Sequence, residues 1–244
     1  NNAMNQVVWG AAGMTPWDWM DRPDFWSFLR EQTLDLKTKT DKALVLGVGC
    51  NLFEWGTFLR RMDNFLMDLF LNPDDVHRML DALMKNHIDF LEKVCESLGD
   101  VVDIIKFADD LGTNTGPFIP VETYNEFFLP RHKQLCDYTK KHSNASTMLH
   151  CCGGIYELIP RLIEAGFEIL NPVQINAINM EPERLKNEFG KDLTFWGGGI
   201  DTKSVLNMAT PTEVKDHVKR NLEIFSKNGG FVFPARSRIG LFGL

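Results

Sequence analysis

The stretch "STMLHCCGGI" (residues 146–155) begins as a short apolar strand and ends in a histidine, two adjacent cysteines and two glycines. Side chains alternate between the two faces of a strand, so His150 and Cys152 share one face while Cys151 points to the other. Imidazole and thiolate at this spacing suit zinc. The same residues also suit a hydrogen-bonded strand end with a small buried thiol, and two ligands alone leave both interpretations open.

From residue 42 onward, short apolar runs alternate with helical patterns, and residues 146–150 are one of these runs. This alternation predicts a parallel sheet with helical, right-handed crossovers. The predicted strands are 43–49, 101–110, 146–150, 167–174, 193–200 and 231–233, and the predicted helices are 72–99, 121–142, 155–166, 181–190 and 210–230.

Two architectures contain such a sheet, the open doubly wound sheet and the (β/α)8 TIM barrel. No glycine-rich nucleotide-binding motif follows a predicted strand, which disfavours the open nucleotide-binding folds. Polar residues lie at or just past the C-terminal ends of the strands, and a barrel gathers those ends on one face. They are Gly49, Cys50, Asp109, Asp110, His150, Cys152, Gln174, Asp201 and Arg236. The sequence therefore predicts an α/β fold of the TIM-barrel type, as one domain over residues 1–244.

Single residues set further expectations for the helices. Pro130 requires a kink or a break within 121–142, because proline cannot continue a helix. Thr210 and Glu213, with Pro211 between them, predict a capping box at the start of the last helix. Four histidines lie among helical charges and are expected to be exposed to solvent: His77, His132, His142 and His217.

Composition excludes some classes of partner. The 244-residue chain has a formal net charge of −7, whereas nucleic acids and anionic membranes need clustered Lys and Arg. No apolar run approaches the roughly 20 residues of a membrane helix, and no signal-peptide pattern is present. Five scattered cysteines are typical of reduced thiols, so a cytoplasmic protein is expected.

A pair of carboxylates is the second candidate site. "ADDLGTNTG" (108–116) places Asp109 and Asp110 at a strand end, where two acids together tend to raise one pKa and suit general acid catalysis. A turn-forming or helix-capping role is an equal alternative for either aspartate. Cys50, at the end of the first predicted strand, can reach the same site as His150 on a barrel.

These motifs together resemble the uroporphyrinogen decarboxylase superfamily, which also contains the corrinoid-dependent methyltransferases. The resemblance covers residues 44–233 in the family's order and implies a barrel with its pocket at the strand C-termini. The matching stretches are "NLFEWGTFLRRMDNFLMDLFLNPDDV", "VVDIIKFADDLGTNTG", "HCCGG", "FEILNPVQINAINMEPERLKNEFG", "TFWGGGID" and "GGFVF".

The methyltransferase branch of that superfamily binds zinc through H-x-C and a later cysteine. His150 and Cys152 match the first two positions, while Ser237 stands at the third. Serine is a poor zinc ligand while its hydroxyl is protonated, so zinc must recruit a different third ligand, bind weakly or be absent. The candidates are Cys50, Glu54, Asp110 and Asp201.

The resemblance implies an enzyme that moves a methyl group between a methylated small-molecule substrate or a thiol and a corrinoid carried by a partner protein. Zinc is the implied metal cofactor. The catalytic candidates are then Asp109, Asp110 and His150, and the substrate-binding candidates are Glu54, Gln174, Asp201 and Arg236.

Two alternatives stay open under the same resemblance. A uroporphyrinogen decarboxylase would use a carboxylate such as Asp110 to stabilise a cationic pyrrole without metal, although the N-terminal segment is Trp-rich where decarboxylases are rich in Arg and Gly. A degenerate barrel would bind a corrinoid protein without catalysis. The chain is short for the family, so we expect the barrel to be incomplete as given, and completed by further segments or by a partner chain such as a second copy.

Overall fold

The computed structural model describes residues 23–233, and their strands form one parallel sheet of six and one small hairpin. In chain order the strands are β1 (Val45–Gly49), β2 (Ile104–Ala108), β3 (Gly112–Thr113), β4 (Gly116–Pro117), β5 (Ser146–His150), β6 (Ile169–Asn171), β7 (Thr194–Trp196) and β8 (Phe231–Val232). The hairpin is β3 and β4, which pair antiparallel. The other six strands are those that the apolar runs predict.

The helices of the described residues fall between the strands and before the first. They are α1 (Phe25–Lys39), α2 (Phe53–Arg60), α3 (Met62–Leu71), α4 (Pro73–Leu98), α5 (Val121–Phe127), α6 (Leu129–His142), α7 (Ile159–Ala165), α8 (Pro182–Phe189) and α9 (Pro211–Phe225). Pro130 causes the predicted break, since α5 ends at Phe127 and α6 starts two residues later. The predicted capping box is also present, with Thr210 accepting from the Glu213 N–H. None of these helices is long and apolar enough to cross a membrane.

The strand order distinguishes the two predicted architectures. Each strand of the sheet pairs with the next one along the chain, in the order β1-β2-β5-β6-β7-β8. In a doubly wound sheet the order of the strands reverses once. When every right-handed crossover instead steps in the same direction along the sheet, all the helices lie on one face, as they do in a barrel. The barrel-type fold is therefore confirmed, with six strands of its wall in the described residues.

Two apolar clusters mark the two faces of the sheet. The larger one lies between sheet and helices and includes Ile105 and Phe107 of β2 with the buried stripe of α4. The smaller one consists of Ile104, Met148 and Ile169, with Trp196 packed against it. These residues alternate with the first set along the strands, so they face the inside of the barrel.

The inner face also sets the position of the site. His150 follows Met148 by two residues, and it pairs in register with Ala108 of β2 and Asn171 of β6. Residues in register on parallel strands point to the same side. His150 and Asn171 therefore stand on the inner face, directly above the small apolar cluster, at the C-terminal ends of their strands.

Candidate functional site

The site forms where β2 and β5 end side by side. The backbone N–H of Asp109 donates to the His150 carbonyl at 3.1 Å, which extends the ladder by one bond. One residue further, the Cys152 N–H donates to Asp110 Oδ1 at 2.8 Å. The carboxylate of Asp110 is thereby held against the loop that carries Cys152.

Three side chains converge at this point. Ligand atoms of Asp110, His150 and Cys152 all lie within 4.8 Å of one another, and each residue is half-buried. His150 Nε2 and Cys152 Sγ are 3.7 Å apart. Within residues 23–233 this is the one cluster of three such groups. An imidazole nitrogen, a thiol and a carboxylate oxygen form a donor set that suits zinc, so the residues fit the implied metal.

The charge around Cys152 favours a cation at the same place. Burial, together with the negative charge of Asp110, raises the pKa of the Cys152 thiol to about 12. The thiol is therefore protonated at neutral pH on its own. A divalent cation bound to the cluster would compensate both negative groups and stabilise the thiolate.

Cys151 and Cys50 both lie outside this cluster. Cys151 is buried, and its sulfur accepts from the Leu111 N–H at 3.3 Å. Cys50 is 4% exposed and belongs to the large apolar core. Cys50 therefore packs into the core, and the third side chain beside His150 and Cys152 is that of Asp110.

The two neighbouring aspartates have different surroundings. Asp109 is fully buried, and its carboxylate accepts the backbone N–H groups of Leu52 and Phe53 at 3.1 and 2.9 Å. It also accepts the Glu54 N–H at 2.9 Å. Asp109 thus caps the start of α2. Of the two aspartates, Asp110 is the one that belongs to the three-residue cluster.

His132 completes the surroundings of Asp109. Its Nε2 lies 3.3 Å from Asp109 Oδ2, and its Nδ1 lies 2.9 Å from the Tyr124 hydroxyl. His132 is 2% exposed, so the expectation of a solvent-exposed histidine is wrong here. The physical reason is the buried carboxylate, which needs a polar partner from α6. The spacing of His132 with Leu135 and Thr139, all buried on one helix face, is the sequence signal for its burial.

Glu54 lies at the edge of the cluster. Its Oε2 accepts hydrogen bonds from the Asn51 side chain and, at 3.3 Å, from the Asp110 N–H. Burial, together with the negative charge of Asp109, raises the pKa of Glu54 to about 7. The carboxyl group is therefore poised to hold or release a proton near neutral pH.

Gln174 supports the loop that carries Cys152. Its Oε1 accepts the Gly153 N–H at 3.0 Å, and its Nε2 donates to Asn114 Oδ1 at 2.7 Å. Asn114 lies in the β3–β4 turn, so Gln174 connects three loops at the C-terminal ends of the strands. Gln174 therefore holds the loop after Cys152 in position and lies next to the site.

The remaining candidates do not join the cluster. Asp201 accepts hydrogen bonds from Asn176 Nδ2 at 3.1 Å and from the backbone N–H of Lys203 at 2.8 Å, so it forms its own turn after β7. Asp110 and His150 therefore lie together in the three-residue cluster, Gln174 lies beside the loop of Cys152, and Asp201 is separate from the cluster. Arg236 and Ser237 lie outside the described residues.

Asn171 is a site residue that the sequence reasoning missed. Its Oδ1 lies 2.7 Å from His150 Nδ1, and its Nδ2 donates to the Trp196 carbonyl at 3.0 Å. The signal for it is its register: an asparagine two residues after the apolar Ile169 lies on the inner face, beside His150.

Comparison with known proteins identifies a family and a shared fold. The family model for uroporphyrinogen decarboxylase (URO-D) matches residues 47–235. Among solved structures, a methyltransferase from Methanosarcina mazei has a TM-score of 0.64 and 17% sequence identity. The match covers 87% of this chain and 60% of that protein, and at this identity it shows a shared fold. No curated protein matches the chain significantly.

Proposed function

Because the chain belongs to the uroporphyrinogen decarboxylase family, we propose that it is a zinc-dependent methyltransferase of that family. In this proposal it moves a methyl group between a methylated small molecule or a thiol and a corrinoid carried by a partner protein. The single observation that carries the proposal is the convergence of Asp110, His150 and Cys152 within 4.8 Å. A porphyrinogen decarboxylase has no use for a thiol and an imidazole arranged as a ligand set.

Each side chain of the site has a separate task in this proposal. His150 Nε2, Cys152 Sγ and an Asp110 oxygen would hold a zinc ion, which would supply Lewis acidity towards a substrate thiol. Asp110 Oδ1 also accepts the Cys152 N–H, which holds the carboxylate next to the loop that carries the thiol. Glu54, which accepts the Asp110 N–H, exchanges a proton with the substrate in this proposal.

The test is methyl transfer between methylcobalamin and a small thiol. The zinc-loaded protein should accelerate the reaction, and His150→Ala should reduce the rate by at least about 100-fold, because outer partners of metal ligands alone cost about 10–100-fold. His142→Ala is the matched control, since His142 is exposed at the end of α6 and should leave the rate unchanged.

Two other outcomes would contradict the proposal. Turnover of uroporphyrinogen by metal-free protein, without methyl transfer, would make the chain a decarboxylase. A stable complex with a corrinoid protein, with neither activity, would make it a non-catalytic binding barrel.

A further inference from the structure

We propose that Asn171 is a positioning residue that holds His150 in the one neutral tautomer that leaves Nε2 free. The inference concerns the proton on the imidazole and holds for the metal-free protein. Its consequence for zinc affinity rests on the proposed function.

The first step is the contact between the two side chains. Asn171 Oδ1 lies 2.7 Å from His150 Nδ1. A neutral imidazole has one N–H and one lone pair, and an amide oxygen only accepts hydrogen bonds. Nδ1 must therefore carry the proton and donate it to Asn171. Nε2 keeps its lone pair, and that atom is the one 3.7 Å from Cys152 Sγ.

The second step is what fixes the amide of Asn171. Its Nδ2 donates to the Trp196 carbonyl at 3.0 Å. If the amide were turned over, its oxygen would face that carbonyl oxygen, and its NH2 group would face His150 Nδ1. The backbone of β7 thus decides which end of the amide meets the imidazole. The order is Trp196 carbonyl, Asn171 amide, His150 ring.

The third step is that the parallel register makes this chain of contacts rigid. His150 pairs with Asn171 across β5 and β6, and β6 pairs with β7 at Leu170 and Phe195. The three residues come from the C-terminal ends of three adjacent strands. No loop movement is needed to form the contacts, so the tautomer is set before any ligand binds.

The fourth step concerns the alternative tautomer. Free histidine in water prefers the proton on Nε2, and that proton would stand where a metal ion binds. Outer hydrogen bonds of this type fix the ring orientation and tautomer of metal-binding histidines, and their loss typically costs 10–100-fold in metal affinity. Among the residues that the structure describes, Asn171 makes this outer hydrogen bond to His150.

The experiment is ¹⁵N NMR of the metal-free full chain with labelled histidine, at about pH 8, where an ordinary histidine is neutral. Long-range ¹H–¹⁵N correlations report which ring nitrogen carries the proton, and the spectrum of His150→Gln identifies the signals of His150. We expect Nδ1–H in the wild type and a shift towards Nε2–H in Asn171→Leu. Asn171→Asp keeps an acceptor and should keep Nδ1–H. Asn187→Leu changes an exposed asparagine of α8 and is the matched control.

The outcomes separate the inference from the proposed function. Nε2–H in the wild type overturns the inference even if no variant folds, and so does an unchanged tautomer in folded Asn171→Leu. Zinc affinity is measured independently by chelator competition, where Asn171→Leu should bind about 10–100-fold more weakly than Asn171→Asp. A wild type that shows Nδ1–H yet binds no zinc supports the inference and rejects the proposed function.

Discussion

At Gly153, directly after Cys152, the backbone comes close to a neighbouring loop. Its φ is +95°, and a Cβ at this position would lie 2.3 Å from the carbonyl carbon of Gly112. A Cβ on Gly112 would in turn lie 2.6 Å from the Cys152 carbonyl oxygen. The loops after β2 and β5 can therefore bring Asp110 and Cys152 together only because both positions are glycine.

Gly153→Ala should separate these loops. The new methyl group meets backbone atoms that cannot move aside, so we expect a loss of about 1–3 kcal/mol in the free energy of unfolding, measured with urea. Zinc affinity should fall as well, because Cys152 moves with the loop. Gly229→Ala is the control: φ there is also positive, at +78°, but no atom lies within 4 Å of the added Cβ. Equal losses for both variants would show that backbone strain alone, without the clash, determines the effect.

Among the secondary-structure elements, the end of β2 contacts both α2 and α6 through Asp109. The carboxylate of Asp109 accepts three backbone N–H groups at the start of α2, and His132 of α6 lies 3.3 Å from it. The partial positive charge of a helix N-terminus stabilises a buried carboxylate. Since α2 carries Glu54, this contact also sets where Glu54 stands relative to Asp110.

Substituting each aspartate in turn should separate stability from metal binding. Asp109→Ala removes the cap and leaves polar groups buried without partners, so we expect a loss of about 3–5 kcal/mol in the free energy of unfolding. Asp110→Ala should cost much less stability, because Asp110 is half-buried, but should weaken zinc binding. Denaturant unfolding and chelator competition measure the two effects. If Asp110→Ala unfolds as easily as Asp109→Ala, the assignment of stability to Asp109 and of metal binding to Asp110 is wrong.

Local rules in the sequence predict most of the elements. The six apolar runs form the six parallel strands, Pro130 separates α5 from α6, and Thr210 begins α9 with its capping box. These features depend on neighbouring residues, so they can be derived without knowledge of the fold. The alternation of a strand similarly separates His150 and Cys152 from Cys151.

Contacts between distant segments could not be derived in the same way. Strand alternation indicates that Asp109 and Asp110 point apart, but it does not indicate which one faces the core. That depends on the start of α2, more than fifty residues earlier in the chain. The burial of His132 and the contact of Asn171 with His150 likewise depend on packing and register between elements.

At the scale of the whole molecule, the proposed zinc site exists only in the folded chain. Asp110 follows β2, His150 ends β5 and Cys152 follows it, and a helical crossover separates Asp110 from the other two in sequence. Their ligand atoms come within 4.8 Å because the two strands are neighbours in the sheet. A ligand that binds the native state and not the unfolded chain stabilises the native state by mass action.

Zinc should therefore raise the melting temperature of the metal-free protein. At a free zinc concentration of 100 times the Kd, the stabilisation is about 2.7 kcal/mol. For a chain of this size each kcal/mol corresponds to roughly 2–4 °C, so the expected shift is about 5–10 °C by thermal melting.

Cys152→Ser should abolish the shift and His142→Ala should keep it. Magnesium should give no shift at the same concentration, because it prefers an octahedral set of oxygens to a thiol and an imidazole. An equal shift with magnesium, or a full shift in Cys152→Ser, would mean that the metal binds elsewhere on the protein.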